Sequence, residues 1–230
     1  MPRIQSSTDL RNNYNEISRF CHENREPVFI TKNGQGDLAV MSMETFEILN
    51  GKLELYRLLD EGHEAEPVKL IVAALHARED ALRKAVCLME SAWGEIDYTG
   101  PDHPFDLTDY YEPEMGKNLM RQMISFREPF PPERLGEAKH IANNIEDKSA
   151  GESGRLVNLD VGYLDLNKIV LASFKGAGQK IYIGGGVWAD MTTRYRDGRY
   201  QPFEWTFPDF RDGRYDAELK AIREIFRSQI

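Results

Sequence analysis

The sequence predicts an α+β protein with two domains, residues 1–62 and 67–230. Strands and helices are segregated along the chain rather than strictly alternating, which favours this fold class. Residues 26–49 predict a strand, a tight turn, a second strand and a helix, and residues 180–203 predict an antiparallel β-meander. Residues 62–67, GHEAEP, have the composition of a linker. We therefore predict a helix–hairpin–helix module followed by a larger α+β domain that contains the meander.

The N-terminal domain is predicted to begin with a short extended segment and a helix capped by Ser6 or Ser7. Apolar residues then recur at helical spacing and predict one apolar stripe: Leu10, Tyr14, Ile17 and Phe20 or Cys21.

The hairpin that follows is the clearest local signal in the sequence. Residues 28–31 and 38–41 predict two strands, and Asn33-Gly34 between them is a strong signal for a tight hairpin turn. Ser42 stands at the expected N-cap of the next helix. The pair Asn50-Gly51 predicts a break in that helix, because such a pair costs about 1 kcal/mol or more. A sheet this small cannot bury both of its faces alone, so we expect a homodimer or a packed neighbour.

The C-terminal domain is predicted to open with a buried strand, an amphipathic helix and a short second strand, a β-α-β order. A strand near residues 120–126 and a helix after Pro131-Pro132 follow. Residues 166–174 fit either a strand or a helix. The meander turns at residues 184–186 and at Asp197-Gly198, an aromatic loop covers residues 205–215, and a last helix ends the domain.

Composition and charge exclude several classes of protein. The chain of 230 residues is 41% hydrophobic and 29% charged, as in ordinary folded proteins. No apolar run approaches the roughly 20 residues of a membrane-spanning helix, and the N-terminus lacks the apolar core of a signal peptide. Cys21 and Cys87 indicate neither a disulfide framework nor a metal site. We expect a cytoplasmic protein without a membrane partner.

The net charge of −9 argues against a chain that coats nucleic acid through bulk charge. Residues 1–32, however, carry five Arg or Lys against four acids, so the acidity lies further along. A local basic face on the N-terminal domain is therefore compatible with the overall charge.

Three motifs in the N-terminal domain carry a family resemblance: STDLR at residues 7–11, EPVFITKNG at 26–34 and VMSMETF at 40–46. Through them, residues 1–60 resemble the Phd/YefM family of type II antitoxins. The resemblance implies a dimer that binds operator DNA and represses its own toxin–antitoxin operon. The basic residues that serve the DNA in that family fall on Arg11 and Lys32, and paired cations of this kind suit backbone phosphates. The alternative is that both are solvated surface charges.

Family antitoxins usually continue into a flexible tail that wraps and neutralises a toxin. This chain continues instead into a predicted folded domain, and only residues 52–66 offer a short helix for a toxin protein. The expected partners are thus operator DNA, a second copy of the chain and possibly such a toxin.

The C-terminal domain carries a second resemblance, through DLTDYYEPEMG (residues 106–116), VNLDVGYL (157–164), KIVLAS (168–173), IYIGGG (181–186) and WTFPD (205–209). Residues 67–230 resemble the bacterial and archaeal domain of unknown function DUF4416. The resemblance implies no activity, because none is established for that family.

Candidate chemistry concentrates in the acidic and aromatic residues 101–116. They offer oxygen ligands for a hard divalent cation or carboxylates for acid–base work, yet Asp, Pro and Tyr are also common in loops for structural reasons. We favour a structural or ligand-shaping role and assign no metal, cofactor or catalytic residue. The glycine turn at residues 184–186 is interpreted as a hairpin turn rather than an anion site. The candidate ligand-binding residues are Asp109, Tyr111, Glu112, Asp160 and Lys168.

Two hypotheses of different class follow, beside the possibility that the chain is a fusion whose halves work independently. In the first, the protein is a dimeric, DNA-binding antitoxin-type autorepressor with an appended domain of unknown function. In the second, the C-terminal domain binds a ligand or is an enzyme, and the N-terminal module serves only for dimerisation. We favour the first, and no Walker, G-x-G-x-x-G, G-x-S-x-G, H-E-x-x-H or C-x-x-C motif supports an enzyme.

Overall fold

The computed structural model describes residues 3–60, 65–151 and 154–230, and for residues 53–60 it describes the backbone only. The chain divides into two compact units, residues 1–64 and 65–230. Each unit combines helices with a sheet, and the sheet of the larger unit is antiparallel throughout its described strands. The predicted α+β class is therefore confirmed.

The described residues of the first unit form six elements: β1 (Arg3–Ser6), α1 (Ser7–Asn12), α2 (Tyr14–Asn24), β2 (Val28–Lys32), β3 (Gln35–Val40) and α3 (Met43–Asp60). Strand β2 lies in the centre of the sheet, parallel to β1 and antiparallel to β3. Four buried residues from α2 and β2 form its small core: Ile17, Cys21, Val28 and Ile30.

Local signals in this unit behave largely as predicted. Ser6 caps α1, because the amide of Asp9 donates to Ser6 Oγ at 3.1 Å while Ser6 N donates to Asp9 Oδ2. Asn33 and Gly34 form the hairpin turn with φ of 52° and 80°, the left-handed values of a type I′ turn. Ser42 caps α3 by accepting a hydrogen bond from the amide of Thr45 at 3.2 Å.

Two helix predictions are wrong. The single apolar stripe is divided between α1 and α2, because Asn13 leaves the helical conformation at φ −120°, ψ 28°, and Tyr14 is exposed. Helix α3 continues through Asn50-Gly51 without the predicted break. One glycine costs about 1 kcal/mol relative to alanine, which an 18-residue helix tolerates.

The second unit begins with a βαββαβ core: β4 (Val68–His76), α4 (Glu79–Trp93), β5 (Ile96–Thr99), β7 (Met120–Phe130), α6 (Leu135–Ser149) and β8 (Val157–Leu164). Between β5 and β7 lie β6 (His103–Pro104) and the short helix α5 (Glu112–Met115), and a single 3-10 turn, Pro132–Arg134, precedes α6. The core strands are ordered β8-β4-β7-β5. This order is the ferredoxin-like arrangement. Strand β7 lies between β4 and β5, the two strands of the predicted β-α-β opening.

The remaining elements extend the sheet beyond β8 and cover it: β9 (Lys168–Ser173), β10 (Ile181–Gly184), β11 (Val187–Arg196), β12 (Arg199–Pro202), α7 (Pro208–Arg211) and α8 (Asp216–Arg227). The ambiguous residues 166–174 thus contain a strand, and the predicted meander is present as β10, β11 and β12. The aromatic loop predicted at residues 205–215 contains the short helix α7.

Both faces of the larger sheet are covered. Helices α4 and α6 pack on one face around Val72 and Phe126, while α7, α8 and β12 pack on the other around Ile71 and Met123. Strand β4 is consequently buried along its whole length. At the β8–β9 contact, a Cβ on Gly162 would lie 2.2 Å from the carbonyl oxygen of Val170, so only glycine fits there.

Candidate functional site

A cavity of about 480 Å³ opens in the second unit where loop residues 105–111 and helices α6 and α7 meet the sheet. Its aromatic lining consists of Phe105, Tyr110, Tyr111, Phe174 and Phe207. Its basic lining consists of Arg121, Lys139, Arg155, Lys175 and Lys180. Its acidic lining consists of Asp160, Asp190 and Asp209. Five cationic side chains thus face three carboxylates and a set of rings.

Arg121 on β7 is the most buried cation of the cavity wall, at 2% exposure. Its guanidinium donates to Asp209 Oδ2 at 2.6 Å and to Asp160 Oδ2 at 2.8 Å, and it lies 4.6 Å from the centre of the Phe105 ring. Burial alone lowers the pKa of Arg121, but the two carboxylates more than offset this and raise it. Tyr215 also donates to Asp209 Oδ2, at 3.0 Å. The group is a rigid, charged floor for the cavity.

Lys139 on α6 is also buried, at 8% exposure. Its ammonium group donates to the carbonyl oxygen of Leu159 at 3.1 Å and lies 5.7 Å from the centre of the Phe174 ring. Among the described residues, no carboxylate lies within 4.0 Å of this ammonium group. The charge of Lys139 is therefore only partly compensated by the protein.

Arg155 is held by two carboxylates behind the cavity wall and by Asn158, which lines the cavity. It donates to Glu114 Oε2 at 2.8 Å, to Glu146 Oε2 at 3.1 Å and to Asn158 Oδ1 at 2.8 Å. Glu146 in turn accepts the amide of Leu159 at 2.6 Å, which ties α6 to β8. Burial raises the pKa of Glu146, although its cationic and amide neighbours oppose the shift.

The open side of the cavity carries two further lysines. Lys175 contacts the hydroxyl of Tyr110 and lies over its ring, 4.7 Å from the centre. Lys180 donates to Ser173 Oγ at 3.1 Å and lies 3.6 Å from Asp190 Oδ2. Burial raises the pKa of Asp190, against the opposing effect of Lys180. Of these two lysines, Lys180 has a carboxylate partner and Lys175 has a phenol.

The structure brings together two of the five predicted ligand-binding residues. Tyr111 and Asp160 line the cavity, and burial raises the pKa of the Tyr111 hydroxyl well above its ordinary value. Asp109 is exposed outside it, Glu112 begins helix α5, and Lys168 pairs with Asp165 at the start of β9. The geometry therefore separates Tyr111 and Asp160 from the other three residues, and the functional role of all five remains a prediction.

The cations of the cavity wall were not among the predicted residues. A signal for two of them exists in the sequence, because each occupies an inward-facing position of an apolar pattern. Arg121 follows Met120 in a strand of Met, Ile and Phe, and Lys139 falls on the same helix face as Leu135 and Ala142. A charge at such a position is costly unless something compensates it, so it marks a candidate site.

Two of the acidic residues considered as metal ligands are paired with arginines instead. Asp106 lies 3.1 Å from Arg214, Glu114 pairs with Arg155, and His103 contacts Glu218. In the part of the chain that the structure describes, no three His, Cys, Asp or Glu side chains converge on a common point suited to a metal ion.

The two predicted DNA-contact residues lie on the surface of the first unit. Arg11 is exposed in the last turn of α1, and Lys32 is exposed at the end of β2, beside the hairpin turn. Neither forms an ion pair with another described residue. The unit also exposes large apolar side chains: Ile4, Tyr14, Phe29, Leu38, Met43, Phe46, Ile48 and Leu49. Within the described residues, no helix combines the length and apolarity needed to cross a bilayer.

These features define a two-unit protein in which a small strand–helix module with exposed cations precedes a ferredoxin-like domain with a charged cavity. The chain belongs to the family described as Domain of unknown function (DUF4416), whose model matches residues 66–226. Residues 3–67 match the model described as Antitoxin Phd_YefM, type II toxin-antitoxin system. Both predicted resemblances are thereby confirmed. No curated protein and no solved structure matches the chain.

Proposed function

We propose that the protein is a dimeric, DNA-binding autorepressor of a toxin–antitoxin-type operon, acting in the cytoplasm. The observation that carries this proposal is the match of residues 3–67 to the antitoxin family. The exposed positions of Arg11 and Lys32 support it, because side chains without an ion-pair partner among the described residues are available to phosphate groups.

Dimerisation is supported by the apolar surface of the first unit. Ile4 on β1 lies opposite Phe29 on β2, and these side chains are 61% and 42% exposed, whereas Val28 and Ile30 on the other face of β2 are buried. One sheet face is therefore uncovered within the unit. A second copy that buries this face would remove apolar surface from water and present each basic pair twice to a DNA duplex.

A toxin protein is the other proposed partner, in keeping with the antitoxin family. The helix expected to contact it, at residues 52–66, falls mostly outside the residues whose side chains are described. The C-terminal unit would then accompany the repressor as a separate functional part.

The direct test is binding of the full chain to DNA from upstream of its own gene, compared with shuffled DNA of the same length. We expect selective, salt-sensitive binding that the double variant Arg11→Ala/Lys32→Ala abolishes. Arg83→Ala, which removes an exposed arginine from α4, is the matched control and should bind as the unmodified chain does. Equal affinity for both DNAs, or an unchanged double variant, would contradict the proposal and leave the N-terminal module as a dimerisation device only.

A further inference from the structure

We propose that the cavity of the C-terminal unit binds a small organic anion that carries an aromatic or other planar ring. This site is separate from the proposed DNA contacts, which lie in the other unit, and it stands whether or not the chain represses an operon. Its elements are a buried lysine without a carboxylate partner, an excess of cations over carboxylates in the lining, and a ring-lined volume of suitable size.

Lys139 is the strongest element of the inference. A buried ammonium group loses most of its hydration. The hydrogen bond that Lys139 donates to the carbonyl oxygen of Leu159 replaces only a small part of that hydration. The ammonium group of Lys139 has three N–H donors, and only one of them has an acceptor among the described residues. The side chain lines the cavity. A negatively charged ligand group beside Lys139 would supply the missing compensation.

The other charges of the lining leave room for such a group. Asp160 and Asp209 are bound by Arg121, and Asp190 lies beside Lys180. Arg155 is compensated by Glu114 and Glu146 behind the wall. Lys139 and Lys175 remain as the two lining cations that have no carboxylate oxygen within 4.0 Å among the described residues, and Glu146 acts on Lys139 only from beyond that distance. The lining is therefore matched to a ligand that carries negative charge.

Unsatisfied donors add to this pattern. Arg121 Nε and Asn158 Nδ2 are buried in the cavity wall and have no hydrogen-bond partner among the described residues. One acceptor, Asp190 Oδ1, is also unsatisfied, but its carboxylate lies beside Lys180. Buried polar groups are usually paired, so a wall with two free donors is consistent with a ligand rich in acceptors.

The size and the rings of the cavity indicate the rest of the ligand. A volume of about 480 Å³ lies within the range of small-molecule sites. Tyr110 and Tyr111 pack edge to face at one wall, while Phe174 lies near Lys139 and Phe207 lies next to α7. Aromatic side chains offer faces and edges against which a planar ring packs favourably.

Calorimetric titration of the full chain with pairs of probes that share a ring and differ in charge tests the proposal. Adenosine 5′-monophosphate is compared with adenosine, and indole-3-acetate with indole-3-acetamide; inorganic phosphate tests the anion without a ring. We expect at least one ring-bearing anion to bind about tenfold or more tightly than its neutral counterpart. The pair that responds distinguishes a phosphate from a carboxylate.

Substitutions then locate the binding. Lys139→Met should weaken binding of the responding anion about tenfold or more, Lys139→Arg should retain part of it, and Lys148→Met, at an exposed position of the same helix, should leave it unchanged. If Lys139→Met does not fold, as judged by its thermal unfolding, Lys175→Gln at the open side provides the same test. The proposal is overturned if no anionic probe binds at millimolar concentration, if the neutral probes bind equally well, if phosphate alone binds as tightly, or if the cavity variants bind as the unmodified chain does.

Discussion

Arg121 and Asp209 form a buried ion pair that joins strand β7 to helix α7, with 2.6 Å between Nη1 and Oδ2. Their side chains are 2% and 3% exposed, so neither can exchange its partner for water. Removing Asp209 would leave the buried Arg121 with Asp160 as its remaining carboxylate partner and its Nη1 without an acceptor, and a buried donor left unsatisfied costs about 1 to 3 kcal/mol. We therefore expect Asp209→Ala to lower the free energy of unfolding by about that amount, as measured by urea denaturation.

The exposed pair Arg127–Glu95 provides the control for this variant. Its atoms are 2.8 Å apart and both side chains are more than half exposed, so Glu95→Ala should change stability by less than about 1 kcal/mol. Similar effects of Asp209→Ala and Glu95→Ala would show that the buried pair is not a stabilising element.

Two glycines should respond in opposite directions to the same substitution. Gly51 lies inside α3, and a methyl group added there would have no atom of another element within 4 Å, so Gly51→Ala should stabilise the first unit by about 0.5 to 1 kcal/mol. Gly162→Ala would place its methyl group 2.2 Å from the carbonyl oxygen of Val170 and should destabilise the second unit. Thermal unfolding of both variants at one protein concentration measures the two effects. A Gly51→Ala variant that unfolds earlier than the unmodified chain would contradict the continuous helix.

Glu146 should make stability fall as the pH rises above the ordinary glutamate value of 4.5. Burial raises its pKa in the folded state, so between 4.5 and the folded value the folded chain binds more protons than the unfolded chain. The stability that this extra proton binding contributes is fully present below pH 4.5. It is lost as the pH rises through the folded-state pKa of Glu146. Glu146→Gln removes this titration, and its stability relative to the unmodified chain should therefore increase from a pH below 4.5 to a pH above the folded pKa.

Glu137→Gln on the same helix is the matched control for the pH experiment. Hydrogen bonding to Arg134 lowers the pKa of the exposed Glu137, so the sign of its contribution is opposite. Urea unfolding at the two pH values gives the comparison, and a relative gain with rising pH for both variants would refute the assignment to Glu146.

The proposed dimer should depend on the exposed apolar side chains of the first unit. Phe29 on β2 is 42% exposed, and Phe29→Glu would place a charge in the proposed interface, where desolvation is costly. We expect this variant to sediment as a folded monomer at concentrations at which the unmodified chain is a dimer. Ile230→Glu changes a 69% exposed apolar residue of the other unit and should remain dimeric. A monomeric unmodified chain would contradict the interface directly.

The elements that could be predicted from the sequence are those set by neighbouring residues. Asn33-Gly34 defines a turn through its own backbone preferences, and Ser42 caps a helix three residues away. The break at Asn13 was missed and one at Asn50-Gly51 was predicted wrongly, because a residue that weakens a helix does not alone decide where the helix ends.

The cavity could not be predicted because its residues converge only through the strand order. Arg121 and Asp209 are 88 residues apart in the chain, and the order β8-β4-β7 places Arg121 within reach of Asp160. Adjacent positions also diverge, since Tyr111 lines the cavity while Asp109 lies outside it. Sequence proximity to an acidic and aromatic motif was therefore a poor guide to the site.

The position of β4 in the sheet has a consequence for synthesis of the chain. Val72 on β4 pairs with Ile124 on β7 and with Val161 on β8, so the larger sheet cannot close until β8 has left the ribosome. The first unit needs only strands joined over short distances, among them β2 and β3 with their two-residue turn. The first unit can thus fold while the domain behind it is still being translated, and the proposed dimer interface would then be available to nascent chains on one messenger RNA at that stage.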